Sequence, residues 1–399
     1  SVLFLNVMVS SSYARVFDDS EQDVSQEISQ DIAQGKASTR IAPLSKVEFP
    51  KNISDDLHFE HLLTAITRQQ RQFKAANLAL EFSFGDRAIN REHLSKSIDK
   101  FRELVVGAIN CFQIHPSDIC YADFNTSLSS EFEAYRPMPK KEERGYRLGK
   151  SFFTAYYSPD FEGSKTQTGE YQNPIYGYPE KTNVKKLSSD DINFNNALKD
   201  KGFELFYVKE SLYDIWLLQV EGGGRVRVKQ NDGSYSFFYL SYAGTNKKKF
   251  NMLSRYMVKK GMLAKGNTSI EAQRNYFIKH PKHQREILAY CESFVFFKVT
   301  TQEPLGVRNI PLTRQRSMAT DYRIYKEYGL INLVKAKRPV KENGKVKLIP
   351  FSRFYLSQDT GGAIKGNARA DLYFGYGPQA ELSANHLHTL GDQYIFILK

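Results

Sequence analysis

The sequence is poor in cysteine and tryptophan, and it has no apolar run long enough to cross a membrane. Its 399 residues include three cysteines and one tryptophan, with no Cys-x-x-Cys pair and no histidine at ligand spacing to a cysteine. These absences exclude a disulfide-rich scaffold and a cysteine-based metal site. Cys111 and Cys120 could pair in an oxidising compartment, but the pattern favours buried free thiols.

The motifs of several common enzyme classes are also missing. There is no Gly-x-Ser-x-Gly nucleophile elbow and no His-Glu-x-x-His zinc motif. The segment GGAIKGN at residues 361–367 lacks the hydroxyl residue of a phosphate-binding P-loop, in which the lysine follows the last glycine. The sequence therefore disfavours these chemistries, and the glycines instead predict a turn that a ligand can approach closely. No metal and no cofactor is predicted.

A net charge of +12 favours an anionic partner, although charge alone does not identify it. The basic segment at residues 335–347 could contact nucleic acid. Its Asn343-Gly344 pair is typical of a hairpin tip, and no recognised nucleic-acid motif accompanies it. The sequence therefore predicts a solvated hairpin here and no nucleic-acid partner.

The N-terminus has the pattern of an export signal. The apolar run VLFLNVMV at residues 2–9 precedes SSSYA at residues 10–14, as in a signal core followed by a small-residue cleavage site. We therefore predict a signal-peptide remnant over residues 1–14 and an exported protein, either periplasmic or associated with the outer membrane. No cysteine follows the run, so a lipoprotein anchor is not visible. Residues 15–50 are polar and without apolar periodicity, which predicts a disordered leader.

Beyond residue 50 the chain alternates helical and strand patterns. Helical periodicity begins near Leu57 with Glu60 in the first turn, and a second helix is predicted from Asn90 to Cys111. Later helices are predicted at residues 252–262 and from a capping box at Thr268 to Pro281. Aromatic and β-branched runs predict strands at residues 152–157, 203–208 and 215–220, a hairpin at 225–240, and short strands with tight turns from 305 to the end. The sequence thus predicts a mainly β protein with peripheral helices, in two domains.

Two carboxylates flank the glycine-rich turn. Asp371 lies in a strand-like apolar run, ADLYF, and Asp359 lies across the turn. An aspartate in such a run is either a satisfied buried group or an acid whose pKa is raised by desolvation and by a like charge nearby. Capping of tight turns is an equally good interpretation of the pattern alone.

Several segments together resemble one family, the membrane-bound lytic murein transglycosylase A family. The most specific are QDTGGAIKG at residues 358–366, ADLYFGYG at 370–377 and PLTRQRSMATD at 311–321. Further matches follow in order: FTAYY at 153–157, YQNPIY at 171–176, QVEGGGR at 219–225, YAGTN at 242–246, SFVFF at 293–297 and PLG at 304–306. Because the motifs share one order over residues 148–399, the resemblance is specific.

The resemblance implies a fold with two domains and a glycan groove between them. A double-psi β-barrel catalytic domain, also called a 3D domain, would be formed by residues 50–155 and 304–399. A second β-barrel domain would be inserted at residues 156–303.

The implied reaction is cleavage of the β-1,4 bond between N-acetylmuramic acid and N-acetylglucosamine in peptidoglycan. The muramyl C6 hydroxyl would attack its own anomeric carbon, giving a 1,6-anhydro product with one aspartate acting as acid and then as base. By position in the motifs, Asp371 is that aspartate, with Asp359 and Asp321 in supporting roles. The resemblance assigns sugar binding to these residues: Thr154, Tyr157, Gln219, Glu221, Gly222, Tyr242, Asn246, Gly361, Gly362 and Lys365.

The sequence departs from the family pattern in QVEGGGR, where Glu221 and Gly223 stand in place of glutamine and serine. Glu221 would add a carboxylate to the groove. The expected partners are peptidoglycan glycan strands and, in addition, proteins of cell-wall synthesis or division, with the chain itself a monomer. The alternative function is a non-catalytic envelope protein that binds glycan or acts as a scaffold.

Overall fold

The computed structural model describes residues 44–301, 303–325, 327–361 and 364–399. Within this part, the chain divides into two compact units. One contains residues 158–304 and is called the insert unit here. The other contains residues 44–157 and 305–399 and is called the barrel unit. No helix of the described residues combines the length and the apolar character that crossing a bilayer requires.

The predicted signal segment lies outside the described residues, as does most of the predicted leader. The last part of the leader prediction is wrong, because Leu44–Val47 form a strand that pairs with Phe132–Pro137. Leu44 is buried by this pairing. A strand held at a sheet edge by a distant segment leaves little signal in local composition.

Among its described residues, the barrel unit contains one sheet of eight strands and a two-stranded hairpin, and helices cover the sheet. Its first strands are β1 (Leu44–Val47), β2 (Glu81–Phe84), β3 (Arg87–Asn90), β4 (Phe132–Pro137) and β5 (Ser151–Tyr156). Its helices before the insert are α1 (Leu62–Lys74), α2 (Arg91–Cys111) and α3 (Ser117–Glu131).

The insert unit follows β5 and contains a six-stranded sheet with short helices. Its strands are β6 (Asp160–Ser164), β7 (Asn173–Tyr176), β8 (Glu204–Val208), β9 (Gly223–Lys229), β10 (Tyr235–Thr245) and β11 (Val295–Thr300). Its helices are α4 (Ser189–Asn193), α5 (Leu212–Glu221), α6 (Leu253–Lys259), α7 (Ile270–Lys279) and α8 (Gln284–Ala289).

The chain then returns to the barrel unit. The remaining elements are β12 (Ser317–Thr320), β13 (Ile331–Glu342), β14 (Lys345–Thr360), β15 (Arg369–Tyr373), α9 (Pro378–His386) and β16 (Thr389–Leu398). The prediction of only short strands in this region is wrong, since β13 and β14 have 12 and 16 residues. Asn343 and Gly344 connect them with positive φ angles of 50° and 76°, so the predicted hairpin tip is confirmed.

Six strands of the barrel unit close into a ring. Hydrogen bonding follows the order β16-β13-β14-β12-β15-β5, and β5 pairs with β16 again through Thr389↔Phe153. β4 and β1 extend the sheet outward from β16. The predicted mainly β fold with a β-barrel is therefore confirmed.

The ring has an apolar cluster on each side because successive side chains of a strand point to opposite faces. Leu333 and Phe354 pack with α1, α2 and α3, whereas Val334 and Tyr355 pack in the cluster that includes α9. Alternation along β13 and β14 thus separates the helix-covered face of the barrel unit from its other core.

Two helix predictions can be compared directly. The second helix runs from Arg91 to Cys111, which confirms the predicted helix; Asn90 is its cap and accepts from the His93 backbone N–H. The first begins only at Leu62, because Phe59 and His61 have left-handed φ angles near 62° that a helix cannot contain. Glu60 is therefore not in its first turn.

Cys111 and Cys120 form a disulfide between the end of α2 and the start of α3. The interpretation of both as free thiols is wrong, since the tight turn between the helices brings their Cα atoms to 5.6 Å. Cys291 is free and buried.

The insert sheet has the order β11-β10-β9-β6-β8-β7, and a bridge between Gly177 and Phe297 links its two edges. The predicted hairpin is β9–β10. The predicted strand at residues 215–220 is wrong because this apolar run lies in α5. The helix is started by a capping box in which Ser211 and Asp214 exchange hydrogen bonds. The last predicted helix is capped by Ser269 rather than Thr268.

Candidate active site

The carboxylates of the glycine-rich segment lie in one row across the barrel sheet. Asp359 on β14 pairs with Ala319 on β12, Ala319 pairs with Asp371 on β15, and Asp371 pairs with Thr154 on β5. Directly paired residues of neighbouring strands point to the same face. Asp359, Asp371 and Thr154 therefore share one face, with the small Ala319 side chain between the two carboxylates.

This face is the one opposite to the α9 core. The neighbours of Asp371 along the strand, Ala370 and Leu372, pack in that core, whereas Ala319 and Tyr373 belong to a small cluster on the other side. Asp371 is only 2% exposed. The sequence places a carboxylate at a buried strand position, so its surroundings must provide hydrogen bonds.

Asp371 is bonded to a hydroxyl that in turn accepts from a cation. Thr154 Oγ1 donates to Asp371 Oδ1 at 2.5 Å, and Arg369 Nη2 donates to Thr154 Oγ1 at 2.7 Å. A guanidinium can only donate, so the Thr154 hydrogen must point towards Asp371. The three residues form an ordered chain, Arg369 to Thr154 to Asp371.

Arg369 is itself buried and lies over an aromatic ring. Its guanidinium carbon is 5.2 Å from the Phe152 ring centroid, and that of Arg144 is 4.6 Å from the same ring. Burial lowers the pKa of Arg369, and the Asp371 charge opposes this effect. Neither arginine was found from the sequence, although Arg369 precedes Asp371 by two positions and so shares its face.

His388 also lies near this chain. It directly precedes β16, whose Thr389 pairs with Phe153. Burial lowers the pKa of His388, whereas the charge of Asp371 raises it. The site therefore contains an imidazole that the sequence-based candidates omitted.

Asp359 has different partners and lies apart from Asp371. Its Oδ2 accepts from the Tyr156 hydroxyl at 2.6 Å, and its Oδ1 accepts from the Thr360 backbone N–H at 2.8 Å. With β12 between their strands, the Asp359 and Asp371 backbones are two strand spacings apart, about 10 Å. Asp359 and Asp371 therefore lie on strands that are not direct neighbours.

Asp321, at the end of β12, holds the glycine-rich turn. Both of its carboxylate oxygens accept from the Arg323 guanidinium, at 2.9 and 2.5 Å. Oδ2 also accepts from the Gly366 backbone N–H at 2.8 Å. The side chain is 1% exposed, so its contacts connect two loops of the barrel unit.

The backbone of the glycine-rich turn is occupied by carboxylates of the chain itself. The N–H of Gly366 donates to Asp321, while those of Asn367 and Ala368 donate to Glu143 at 2.9 and 2.8 Å. A Cβ on Gly366 would lie 2.9 Å from the Glu143 carboxyl carbon. Asp321 and Glu143 therefore occupy these three N–H groups, and the close approach of a ligand to the glycines stays a prediction.

The remaining candidates of the barrel unit differ in exposure. Lys365 is exposed and Gly361 is buried, while Gly362 lies outside the described residues. Tyr157 packs in the α9 core, on the face opposite to the carboxylates. Tyr156, which sequence reasoning missed, points to the carboxylate face, and the two-residue period from Thr154 could have indicated this.

In the insert unit, two candidates are bonded to backbone groups. Gln219 on α5 is buried and accepts from the Val295 N–H at 3.2 Å. Asn246 is fully buried, donates to the carbonyls of Leu187 and Glu292, and accepts from the Phe294 N–H. The side chain of Asn246 therefore joins three chain segments and is not accessible to a sugar in this structure.

The other three candidates of the insert unit lie at the end of α5, just before β9, and on β10. Glu221 ends α5 with a buried side chain, and Gly222 follows as its cap with φ 72°. Tyr242 is partly buried against the core of the sheet, at a bulge in the β10–β11 pairing.

Two family models match the chain. The MltA specific insert domain matches residues 152–298, and the 3D domain matches residues 316–396. Together they take in more than half of the sequence. The second match contains Asp321, Asp359 and Asp371, and the first contains Thr154.

The chain is also similar in sequence to curated proteins named membrane-bound lytic murein transglycosylase A. The membrane-bound lytic murein transglycosylase A of Escherichia coli K12 is 34% identical over 61% of this chain and 64% of its own length. That of Vibrio cholerae is 31% identical over 62% and 65%. The chain thus spans slightly less than two thirds of the length of these relatives.

The fold has solved counterparts. The crystal structure of E. coli MltA with bound chitohexaose has a TM-score of 0.62 at 23% identity, covering 92% of this chain and 96% of that one. At this identity the likeness concerns the fold. From the two domain matches, the relatives and this fold, we conclude that the chain belongs to the membrane-bound lytic murein transglycosylase A family.

Proposed function

We propose that the protein is a lytic transglycosylase that cleaves the bond between N-acetylmuramic acid and N-acetylglucosamine in peptidoglycan. The observation that carries the proposal is the buried Asp371 carboxyl, bonded to Thr154 and separated by a whole strand from the next carboxylate of its row. The names of the E. coli and V. cholerae relatives support this reaction class.

The separation of the carboxylates bears on the mechanism. Ordinary glycosidases use two carboxyl groups across one glycosidic bond, one as acid and the other as nucleophile or base. Asp371 and Asp359 are two strands apart, and Asp359 is bonded to Tyr156. A reaction that uses the substrate's own hydroxyl as nucleophile needs one carboxyl only, and Asp371 can perform both of its proton transfers.

In the proposed reaction, protonated Asp371 gives its proton to the leaving glycosidic oxygen as the bond to the muramyl anomeric carbon breaks. The muramyl C6 hydroxyl attacks that carbon and forms the new C6–O–C1 bond. The proton of this hydroxyl passes to Asp371, which regenerates the acid. No water is consumed, and the product has a 1,6-anhydro end.

Thr154 and Arg369 would position Asp371 for these steps. Because Thr154 donates to Oδ1, that oxygen accepts a hydrogen bond, and the transferred proton is carried by Oδ2. Arg369 donates to Thr154 Oγ1 and so orients the hydroxyl that holds the acid. Asp321 and Asp359 act as positioning residues through the Gly366 turn and Tyr156.

The proposed substrate is a peptidoglycan glycan strand, and the proposed location is the periplasm or the outer-membrane surface. The homologous E. coli protein has been crystallised with bound chitohexaose, and relatives are named membrane-bound. The net charge of +12 suits the carboxylates of peptidoglycan stem peptides.

The test is mass spectrometry of peptidoglycan digested by the purified protein. We expect 1,6-anhydro ends from the natural sequence, and a loss of about 1,000-fold or more in their rate with Asp371→Asn, which removes the acid. Asp392→Asn is the control, because Asp392 is a partly exposed partner of Arg136 and Lys150. Its rate should not change.

Other outcomes would contradict the proposal. Reducing ends in place of anhydro ends would indicate hydrolysis. Binding of peptidoglycan without turnover, unaffected by Asp371→Asn, would instead favour the glycan-binding or scaffold alternative.

A further inference from the structure

The hairpin of β13 and β14 extends beyond the barrel as a two-stranded ribbon. The pairing of β13 with β16 ends at Lys335, and that of β14 with β12 begins at Leu356. Between these points, the two strands pair with each other up to the turn at residues 343 and 344. Residues 341–348 at the end of the ribbon are all exposed.

The two faces of the ribbon carry their charges differently. On one face, Arg338 is paired with Asp56 at 3.5 Å and Lys347 with Glu342 at 2.7 Å. Pairing register puts Lys337, Lys341, Val346 and Leu348 on the opposite face. We call these four side chains the basic face.

The basic face combines cations with exposed apolar groups. Lys337 and Lys341 are exposed, and neither forms an ion pair with any described residue. Val346 and Leu348 are 40% and 48% exposed, and Val346 lies directly across from Lys341. Apolar side chains beside lysines are typical of surfaces that enter the headgroup region of an anionic bilayer.

We propose that the basic face of the β13–β14 ribbon docks on the surface of an anionic phospholipid membrane. The lysines bind lipid phosphates, and Val346 and Leu348 enter the interface between headgroups and acyl chains. This inference concerns the ribbon alone and does not depend on the proposed reaction.

Docking at the ribbon would hold the Asp371 row away from the lipid. β14 runs without interruption from Lys345 at the tip to Thr360, next to Asp359. At about 3.3 Å per residue, these two ends are up to about 50 Å apart along the strand. A protein bound in this way could act on a polymer that lies well above the membrane surface.

The lysines also have a simpler interpretation, because exposed strand edges are often protected from aggregation by lysine and proline. This interpretation predicts no lipid binding. It also does not require apolar side chains on the same face as the lysines.

Binding can be measured by flotation of the full chain with vesicles of phosphatidylcholine mixed with phosphatidylglycerol, and with vesicles of phosphatidylcholine alone. We expect binding to the mixed vesicles that weakens as salt is added. Lys337→Gln with Lys341→Gln should lower it about 30-fold, since each lysine near such a surface contributes about fivefold. Val346→Thr with Leu348→Thr keeps the charge and strand propensity and should lower binding several-fold.

Lys345→Gln with Lys347→Gln is the matched control, because it removes the same charge from the same ribbon. It should lower binding much less than the changes on the basic face. The proposal would be overturned by an equal loss from both pairs of substitutions or by no binding to mixed vesicles. It would also be overturned if the protein does not bind vesicles but binds DNA or peptidoglycan through Lys337 and Lys341. Production of anhydro ends from soluble peptidoglycan should stay unchanged in all three variants, which separates this test from that of the reaction.

Discussion

Two buried aspartates of the barrel unit accept hydrogen bonds from different groups. Asp55, under the helix-covered face, accepts from Nη1 and Nη2 of Arg316 at 2.6 and 2.8 Å. Both side chains are fully buried. It also accepts from three backbone N–H groups, those of Leu57, Phe59 and Phe354. Asp371 accepts from the Thr154 hydroxyl, to which Arg369 donates.

The difference shows how the same residue type is used in two ways. Burial alone would raise the pKa of Asp55, but the Arg316 charge and its hydrogen bonds lower the pKa overall. A carboxyl held in this way is fixed as an anion and cannot act as an acid near neutral pH. At Asp371 the hydrogen bond comes from the neutral Thr154 hydroxyl, a donor that is compatible with the proton transfers proposed for this carboxyl.

The largest expected effect in this comparison is the loss of stability caused by Asp55→Asn. The change leaves Arg316 buried without its counter-charge. It also replaces one acceptor oxygen of Asp55 by an NH2 group, which cannot accept from the backbone N–H groups. We expect the free energy of unfolding to fall by about 3–5 kcal/mol. Urea denaturation followed by circular dichroism measures it, with Glu92→Gln on the surface of α2 as a control that should change little.

The same contacts predict how stability depends on pH. The pKa of Asp55 is lowered from its usual 3.8, so the unfolded chain binds this proton more readily than the folded one. The contribution of Asp55 is therefore complete above about pH 4 and is lost as the pH falls through 3.8 and then through the folded value. If Asp55→Asn and the natural sequence lose stability in parallel below pH 4, the assignment of this effect to Asp55 is wrong.

A smaller effect is expected from Thr154→Val. It removes the hydroxyl between Arg369 and Asp371 at constant volume, leaving both charged groups without that bond. We expect kcat for anhydro product to fall by about 10–100-fold, from a loss of about 1.4–3 kcal/mol. KM should change little, because the residue acts on the acid rather than on the substrate.

Thr154→Ser restores the hydroxyl and serves as the control. It should recover most of kcat, whereas valine should also move the acidic limb of the pH–rate profile. Equal losses in the serine and valine variants would mean that packing of the Thr154 methyl group, and not the hydrogen-bonded chain, determines the rate.

Helices and turns of the barrel unit could be predicted from the sequence where residues close together in the chain determine them. The helix from Arg91 to Cys111 has an asparagine cap and a continuous apolar stripe, and the β13–β14 turn has the Asn-Gly pair that such turns require. The order of family motifs led to the carboxylates. In each case the information lies within a short stretch of chain.

The missed features depend on contacts between distant segments. Glu143 bonds a turn more than 200 residues later, and β1 is held by its pairing with β4. The apolar run at residues 215–220 is compatible with a strand or a helix. The Ser211–Asp214 capping box, which precedes it, starts a helix there. Tyr156 was missed although its neighbour Tyr157 was named, because the face of a strand residue depends on register and not on residue type.

Tyr156→Phe gives the smallest expected effect and tests whether the comparison extends to Asp359. The change removes the 2.6 Å bond to Asp359 Oδ2 but leaves the backbone bond from Thr360 and the ring contact with Tyr373. Because the Thr360 backbone donor remains and Asp371 is not touched, we expect kcat for anhydro product to fall less than about 10-fold, from a loss of about 1 kcal/mol. A fall as large as that of Asp371→Asn would mean that Asp359 takes part in proton transfer, and the site would then use two carboxyl groups.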